Sequence, residues 1–108
     1  MATTYSVLGQ SAPSATTATT LYTVPAATES VLSTLSVCNR STTGTFRVAV
    51  RPAGDTLANE HYLVYDASVG ANDTLFLTIG VTLAATDVVT VYASTADFSF
   101  SAFGSETA

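Results

Sequence analysis

The only histidine and the only cysteine, His61 and Cys38, are the two side chains that could act as a general base and a nucleophile. A thiol nucleophile needs an imidazole beside it and an electropositive setting, and nothing in the sequence brings these two residues together. Neither Glu60 nor Asp66 stands at a metal-ligand spacing from His61. We therefore predict a surface histidine on a strand, a buried inert cysteine, and no catalytic, cofactor or metal site.

Carboxylates and asparagines cluster in the predicted turns. Loop aspartates can converge on a calcium ion, but these are isolated, and Asp is common in turns for its own backbone hydrogen bonds. The five are Asp55, Asp66, Asp73, Asp87 and Asp97. Two segments, Asn39-Arg40-Ser41 and Asn72-Asp73-Thr74, match the N-glycosylation sequon, and we interpret both as turn asparagines.

Arg47 and Arg51 are the two residues best suited to binding carboxylates. They share one face of a predicted strand, with Ala49 between them, in a chain that has three arginines and no lysine. One interpretation is a solvated strand face. The other is bidentate pairing with carboxylates, either of this chain or of a neighbouring subunit.

Charge and composition exclude several classes of function. The formal charge of −5 disfavours nucleic-acid binding, which depends on Lys and Arg. Only 10% of the residues are charged, against about 25% in a typical soluble domain, so we expect some apolar surface to be covered by a partner. No run approaches the roughly 18 apolar residues of a membrane helix. The first residues have neither the basic nor the apolar part of a secretory signal.

Period-two alternation predicts about eight short strands separated by turn residues. They cover residues 4–9, 21–24, 31–39, 45–51, 60–69, 75–79, 88–93 and 98–103. The clearest alternation places Phe46, Val48 and Val50 on the inward face. A second inward face would contain Val31, Leu35 and Val37. The turn at residues 39–44 predicts that strands 31–39 and 45–51 form a hairpin.

The fold that this pattern favours is all-β, a single antiparallel β-sandwich of the jelly-roll or immunoglobulin-like kind. Residues 10–20 are low in complexity and lack a hydrophobic period, which indicates an extended arm or long loop. We expect residues 1–20 to form an N-terminal strand and arm, and residues 21–108 to form the sandwich. Tyr5, Val7 and Leu8 would anchor the arm on a neighbouring subunit or on the shell. With Arg47 and Arg51 they are the predicted partner-binding residues.

Several segments, taken in order, resemble a small family of virion structural proteins of tailed bacteriophages, including cyanophages. They are Val7-Leu8-Gly9-Gln10-Ser11-Ala12-Pro13, Leu21-Tyr22-Thr23-Val24-Pro25-Ala26, Val37-Cys38-Asn39-Arg40, Phe46-Arg47-Val48-Ala49-Val50-Arg51-Pro52-Ala53-Gly54, Leu83-Ala84-Ala85-Thr86-Asp87-Val88-Val89-Thr90-Val91-Tyr92 and Phe103-Gly104-Ser105-Glu106. The resemblance implies a β-sandwich module of the phage particle without enzymatic residues. It does not distinguish head from tail.

The first functional hypothesis is a capsid decoration (cement) protein on the outer face of a phage head. Its partners would be copies of itself, as a trimer, and the major capsid protein or another virion protein, without nucleic acid or membrane. It would be made in the host cytoplasm and would not be an enzyme. One alternative is a tail, baseplate or fibre module. Another is a carbohydrate-binding module using Tyr62, Tyr65 and Tyr92, although the chain has no tryptophan.

Overall fold

A computed structural model describes residues 2–108 of the chain, and these residues form eight β-strands in two packed antiparallel sheets. The strands are β1 (Thr3–Ser11), β2 (Thr19–Thr23), β3 (Glu29–Asn39), β4 (Gly44–Arg51), β5 (Tyr62–Val69), β6 (Thr74–Leu83), β7 (Val88–Ala93) and β8 (Phe98–Thr107). A short turn at Pro52–Gly54 and a single 3₁₀ turn at Asn59–His61 lie between β4 and β5. The predicted all-β sandwich is confirmed.

The strand order of the sandwich is that of a jelly roll. Sheet A has the order β1-β8-β3-β6 and sheet B the order β2-β7-β4-β5. Within the described residues, β4 and β5 are the only consecutive strands that pair, and every other connection crosses from one sheet to the other. Eight strands in two four-stranded sheets with such crossings distinguish the jelly roll from the seven- or nine-stranded immunoglobulin arrangement.

The core lies between the two sheets and is built from aromatic and β-branched residues. Phe46 of sheet B packs against Phe100 of sheet A with ring centroids 6.2 Å apart, and Phe98 stacks beside Phe100. Val48 is fully buried with these rings, as the alternation predicted, while Val50 is half-buried against the cluster. Burial of such side chains stabilises the fold by about 1.5–3 kcal/mol each.

The predicted hairpin between residues 31–39 and 45–51 is wrong. β3 pairs with β6 and β8 in sheet A, whereas β4 pairs with β5 and β7 in sheet B. The intervening turn therefore forms an arch that places the apolar faces of the two strands opposite each other. Asn39 fixes the arch, because its buried amide donates to the carbonyls of Thr42 (2.8 Å) and Val69 (3.1 Å).

The predicted inward face of β3 is correct only in its second half. Leu35 and Val37 are buried, but Val31 is 39% exposed and Leu32 takes the inward position. A register shift between Leu32 and Thr34 explains the change, because one bulge moves every following side chain to the other face.

The strand expected at residues 4–9 is confirmed as β1, and residue 1 lies outside the described residues. Of residues 10–20, expected to be an extended arm or a long loop, the ends belong to β1 and β2 and residues 12–18 form the loop between them, so no extended arm is observed. β1 pairs with β8 along its length, from Thr3 opposite Thr107 to Ser11 opposite Phe100. The segment after β1, residues 12–18, crosses to β2 and is held by a hydrogen bond from the Thr16 N–H to the Ala93 carbonyl at 2.8 Å. This connecting segment is polar because most of it is exposed to solvent. β1 itself is held by backbone hydrogen bonds to β8.

Candidate interaction surfaces

His61 is buried, and the expectation of a surface strand histidine is wrong. It ends the 3₁₀ turn at Asn59–His61, where its side chain is 8% exposed. Its Nδ1 accepts a hydrogen bond from the Ala58 N–H at 3.0 Å. The imidazole thus satisfies a backbone donor that the short turn would otherwise leave unpaired.

Cys38 is half-buried, which is less than the sequence predicted. It lies on the outward side of β3, opposite Thr74 of β6 and Ser99 of β8. His61 belongs to the connection that leads into sheet B. The two residues therefore belong to opposite layers of the fold.

Two of the five aspartates, Asp73 and Asp87, accept backbone N–H groups at turns, as predicted; Asp73 Oδ1 accepts the Thr74 N–H at 2.8 Å. Both oxygens of Asp87 accept backbone N–H groups, from Ala53 at 2.9 Å and from Ala84 at 2.8 Å. Within residues 2–108, no group of three or more His, Cys, Asp or Glu side chains is placed to hold a metal ion. Asp66 is the exception to the turn interpretation, because it lies within β5 and binds Arg47.

The two sequon asparagines are turn residues, as predicted. Asn39 is 1% exposed, and its Oδ1 accepts the Ser41 N–H at 3.1 Å. Asn72 has a φ of 55°, which asparagine tolerates better than most residues, and its N–H donates to the Ser41 carbonyl. Asn39 therefore stabilises its connection through its side chain, and Asn72 through its backbone N–H.

The outer face of sheet A carries no charged residue over its four central rows, and we call it the uncharged face. Strand register defines the rows, because residues directly opposite one another point to the same side of a sheet. The face consists of Tyr5, Val7, Gln10, Val31, Thr34, Ser36, Cys38, Thr74, Phe76, Thr78, Thr82, Ser99, Ser101, Phe103 and Ser105. Charged residues border it at both ends: Glu29 lies in the rim row with Thr107 and Thr3, and Arg40, Asp73 and Asp97 lie just beyond the row of Cys38, Thr74 and Ser99.

Large apolar side chains stand out on the uncharged face between hydroxyl groups. Tyr5 is 82% exposed, Phe76 66% and Val7 51%. An exposed apolar surface without charges is unusual on a monomeric protein and marks an interaction site. Of the three arm residues predicted to bind a partner, Tyr5 and Val7 lie on this face, whereas Leu8 is half-buried against the core.

The outer face of sheet B has a different chemistry, centred on Arg47. Its guanidinium carbon lies 4.1 Å from the ring centroid of Tyr65 and 4.2 Å from that of Tyr92. Arg47 also donates to Asp66 from Nε at 2.7 Å and from Nη2 at 3.2 Å. The ring of Tyr62 meets that of Tyr65 edge to face at 4.9 Å. We call these five residues the tyrosine–arginine cluster.

Electrostatics hold the cluster in its charged form. The hydrogen bond to Arg47 lowers the pKa of the Asp66 carboxyl, and the same bond raises the pKa of the guanidinium. The side chain of Arg47 is 22% exposed and that of Asp66 is 43% exposed, so solvent screens the attraction between their charges. Stacking of a guanidinium on tyrosine rings adds a cation–π attraction.

Both arginines predicted to bind a partner are engaged within their own chain. For Arg47 the predicted bidentate carboxylate is Asp66. Arg51 has no carboxylate, since its Nε donates to Thr90 Oγ1 at 3.0 Å and its Nη1 to the Asp55 carbonyl at 2.9 Å. A role in binding a neighbouring subunit stays a prediction for both.

A buried polar network that the sequence analysis missed joins the sheets near the C-terminal end of β8. The Tyr22 hydroxyl of sheet B donates to Glu106 Oε2 at 2.5 Å and lies 2.7 Å from Ser30 Oγ, both in sheet A. Burial, followed by the hydrogen bond to Glu106, raises the pKa of Tyr22 to about 12. Glu106 is 84 residues from Tyr22 in sequence, and Ser30 lies in the opposite sheet, so only the fold brings the three together.

In residues 2–108 no helix has the length and apolar character needed to span a membrane. The chain matches no family model, no curated protein and no solved structure.

Proposed function

We propose that this chain is a structural protein of a bacteriophage particle, and specifically a capsid decoration protein that binds the outer face of the head. It is made in the host cytoplasm, has no enzymatic role, and stabilises the shell through contacts between subunits. The resemblance of its strand and turn segments to phage virion proteins supports this role. The jelly-roll order adds a fold-level analogy, since such sandwiches recur in viral capsid domains.

The uncharged face is the observation that carries the proposal. The protein has a net charge of −5, yet the four central rows of sheet A contain no charge at all. A flat surface of hydroxyl and apolar groups can be buried without desolvating an ion. We therefore assign this face to the major capsid protein or another virion protein.

Association with copies of the same chain belongs to the same proposal. Decoration proteins commonly occupy three-fold or quasi-three-fold positions on a head, and this analogy is the basis for a trimer. The low proportion of charged residues, 10%, favours contact between subunits.

A matched pair of charge substitutions tests the docking face. Ser101→Asp introduces a carboxylate in the middle of the uncharged face, on the central strand β8. Thr23→Asp introduces the same charge at an exposed position of sheet B. Mixed with undecorated heads, Ser101→Asp should lose at least about 100-fold in affinity, because burying an unpaired carboxylate costs several kcal/mol. Thr23→Asp should bind as the wild type does.

Two results would contradict the proposal. Equal binding of both variants to heads would exclude the uncharged face as the docking surface. Wild-type protein that binds purified tails or baseplates but not heads would replace the decoration role with the tail-associated alternative. Circular dichroism spectra of the two variants establish that each is folded before binding is compared.

The tyrosine–arginine cluster is the observation that favours a carbohydrate-binding module as the second candidate. Tyr62, Tyr65 and Tyr92 lie together on one face, and lectin domains also use jelly rolls. The contacts of Arg47 count against it, because the guanidinium covers one ring face of Tyr65 and one of Tyr92. A sugar ring that stacks on tyrosine needs an open ring face.

A further inference from the structure

The outer edge of β6 is an open strand edge. β6 pairs with β3 on one side, and among residues 2–108 no backbone group from another segment bonds its other side. Between Thr74 and Leu83 there is neither a charged residue nor a proline. Natural sheets protect their edges with charges, prolines, bulges or short strands. The run Thr74–Thr78 has no such protection and pairs with β3 without a register shift.

The edges of sheet B are protected in these ways. β2 is five residues long, contains a register shift, and is followed closely by Pro25. β5 has two register shifts and the charged residue Asp66 with a φ of 54°. These features prevent the regular backbone pairing that a further strand would need.

β6 also differs from β1, the other edge of sheet A, in exposing apolar side chains on both sides of the sheet. Phe76 is 66% exposed on the outer side, and Leu75 is 37% exposed on the side of the core. On β1 the corresponding core-side residues are the polar Thr4 and Ser6. A strand added to β6 would therefore cover apolar surface on both sides, which a strand added to β1 would not.

We propose that two copies of this chain join edge to edge through β6, antiparallel about a two-fold axis at Phe76, to form one eight-stranded sheet. The regular run is symmetric about Phe76, so Phe76 faces the partner's Phe76 and Leu75 faces the partner's Leu77. Isologous pairing of this kind closes at two copies, whereas pairing of β6 with β1 would continue from copy to copy or require a ring.

Charge favours antiparallel over parallel pairing of the two β6 strands. It also allows the added strand to come from a second copy of this acidic chain. Asp73 directly precedes the run, in a protein of net charge −5. Antiparallel pairing about Phe76 separates the two Asp73 carboxylates by six residues along the strands, about 20 Å, well beyond the screening length of about 8–10 Å. Parallel pairing would place them side by side. The contact region itself contains no charge, so two acidic copies can meet there.

The contact does not depend on the proposed role in the virion. If the chain also forms trimers, three equivalent β6 contacts would join two trimers into a closed hexamer, and their loss would again halve the mass.

Sedimentation of the purified protein tests the edge contact. Phe76→Asp places two carboxylates opposite each other at the axis, and it should weaken the contact by at least about 100-fold, halving the mass at micromolar concentration. Thr23→Asp adds the same charge at an exposed position of sheet B and should keep the wild-type mass. A wild-type monomer would overturn the proposal, as would an equal effect of the two variants.

Disulfide trapping reports the register independently of any loss of stability. In a Cys38→Ser background, Phe76→Cys should give a covalent dimer on mild oxidation. Opposite Cβ atoms lie about 4.5–5.5 Å apart in an antiparallel pair, within reach of a disulfide after small shifts. Thr82→Cys, on the same strand and face, should not cross-link. A dimer with Thr82→Cys only, or with neither, would overturn the edge and its register.

Discussion

At the scale of single residues, buried polar side chains stabilise this protein where reactive ones were sought. His61 and Asn39 each satisfy backbone groups of a connection, at Ala58 and at Thr42 and Val69. The Tyr22 hydroxyl connects the two sheets through Glu106 and Ser30. Removing one partner of such a network leaves the others desolvated, which costs more than the bond itself contributes.

Tyr22→Phe should lower the free energy of unfolding by about 1–3 kcal/mol, because Glu106 and Ser30 lose their buried partner. The wild type should also lose stability at high pH. Its folded state holds the Tyr22 proton more tightly, since the pKa rises from 10.0 to about 12. This contribution is complete below pH 10 and is lost between about pH 10 and 12. Urea unfolding across this range should show a shallower decline for Tyr22→Phe.

Tyr5→Phe is the matched control, because it removes the same atom where the side chain is 82% exposed. Its stability should stay within about 0.5 kcal/mol of the wild type. A decline between pH 10 and 12 that is as steep in Tyr22→Phe as in the wild type would contradict the assignment to Tyr22.

At the scale of elements, β1 is part of sheet A rather than an arm, and its deletion should unfold the domain. Removing residues 2–11 exposes the edge of β8 and uncovers the side of the core against which Leu8 packs. We expect the cooperative thermal transition to disappear or to shift down by about 8–24 °C. This range assumes that the free energy of unfolding falls by about 2–3 kcal/mol and that each kcal/mol lowers the melting temperature by about 4–8 °C for a domain of this size.

The connection between β1 and β2 provides the control for this deletion. Replacing residues 14–18, which are exposed, with a Gly/Ser linker of equal length should shift the transition by much less. A truncated protein that melts like the wild type would restore the arm interpretation.

The strands could be predicted from the sequence, but their partners could not. Alternation such as that of Phe46 and Val48 shows which side of a strand faces the core. It does not show whether the next strand lies beside it or across the core, because a turn containing Asn39 and Gly44 suits a hairpin and an arch equally. The bulge after Leu32 could not be predicted from the sequence either, since neither residue type nor spacing marks it.

At the scale of the whole molecule, the two outer faces of the sandwich differ in charge. The face of sheet B carries Arg47, Arg51 and Asp66, and the face of sheet A has no charge in its central rows. This difference could not be predicted from composition, which gives only the total of −5. It depends on which side of each strand points outward, and therefore on the register and the bulges.

Because the proposed docking face is uncharged, the proposed binding to heads should respond weakly to salt. Between about 0.05 M and about 0.5 M salt we expect the affinity to change by less than about threefold, since screening acts on charged contacts. Filter binding or cryo-electron microscopy occupancy across this range would measure it. A loss of about tenfold or more would show that Arg47, Arg51 or surface carboxylates contribute to the interface.

The strand order has a consequence for how the chain folds. β8 is a central strand of sheet A and β7 a central strand of sheet B, yet they are the last two strands along the chain. While the protein emerges from the ribosome, β1 and β3 lack the strand that joins them, as do β2 and β4. β3 can pair with β6 and β4 with β5, but neither sheet can be completed before β7 and β8 are available. The long loops that must then close make folding of the sandwich slow.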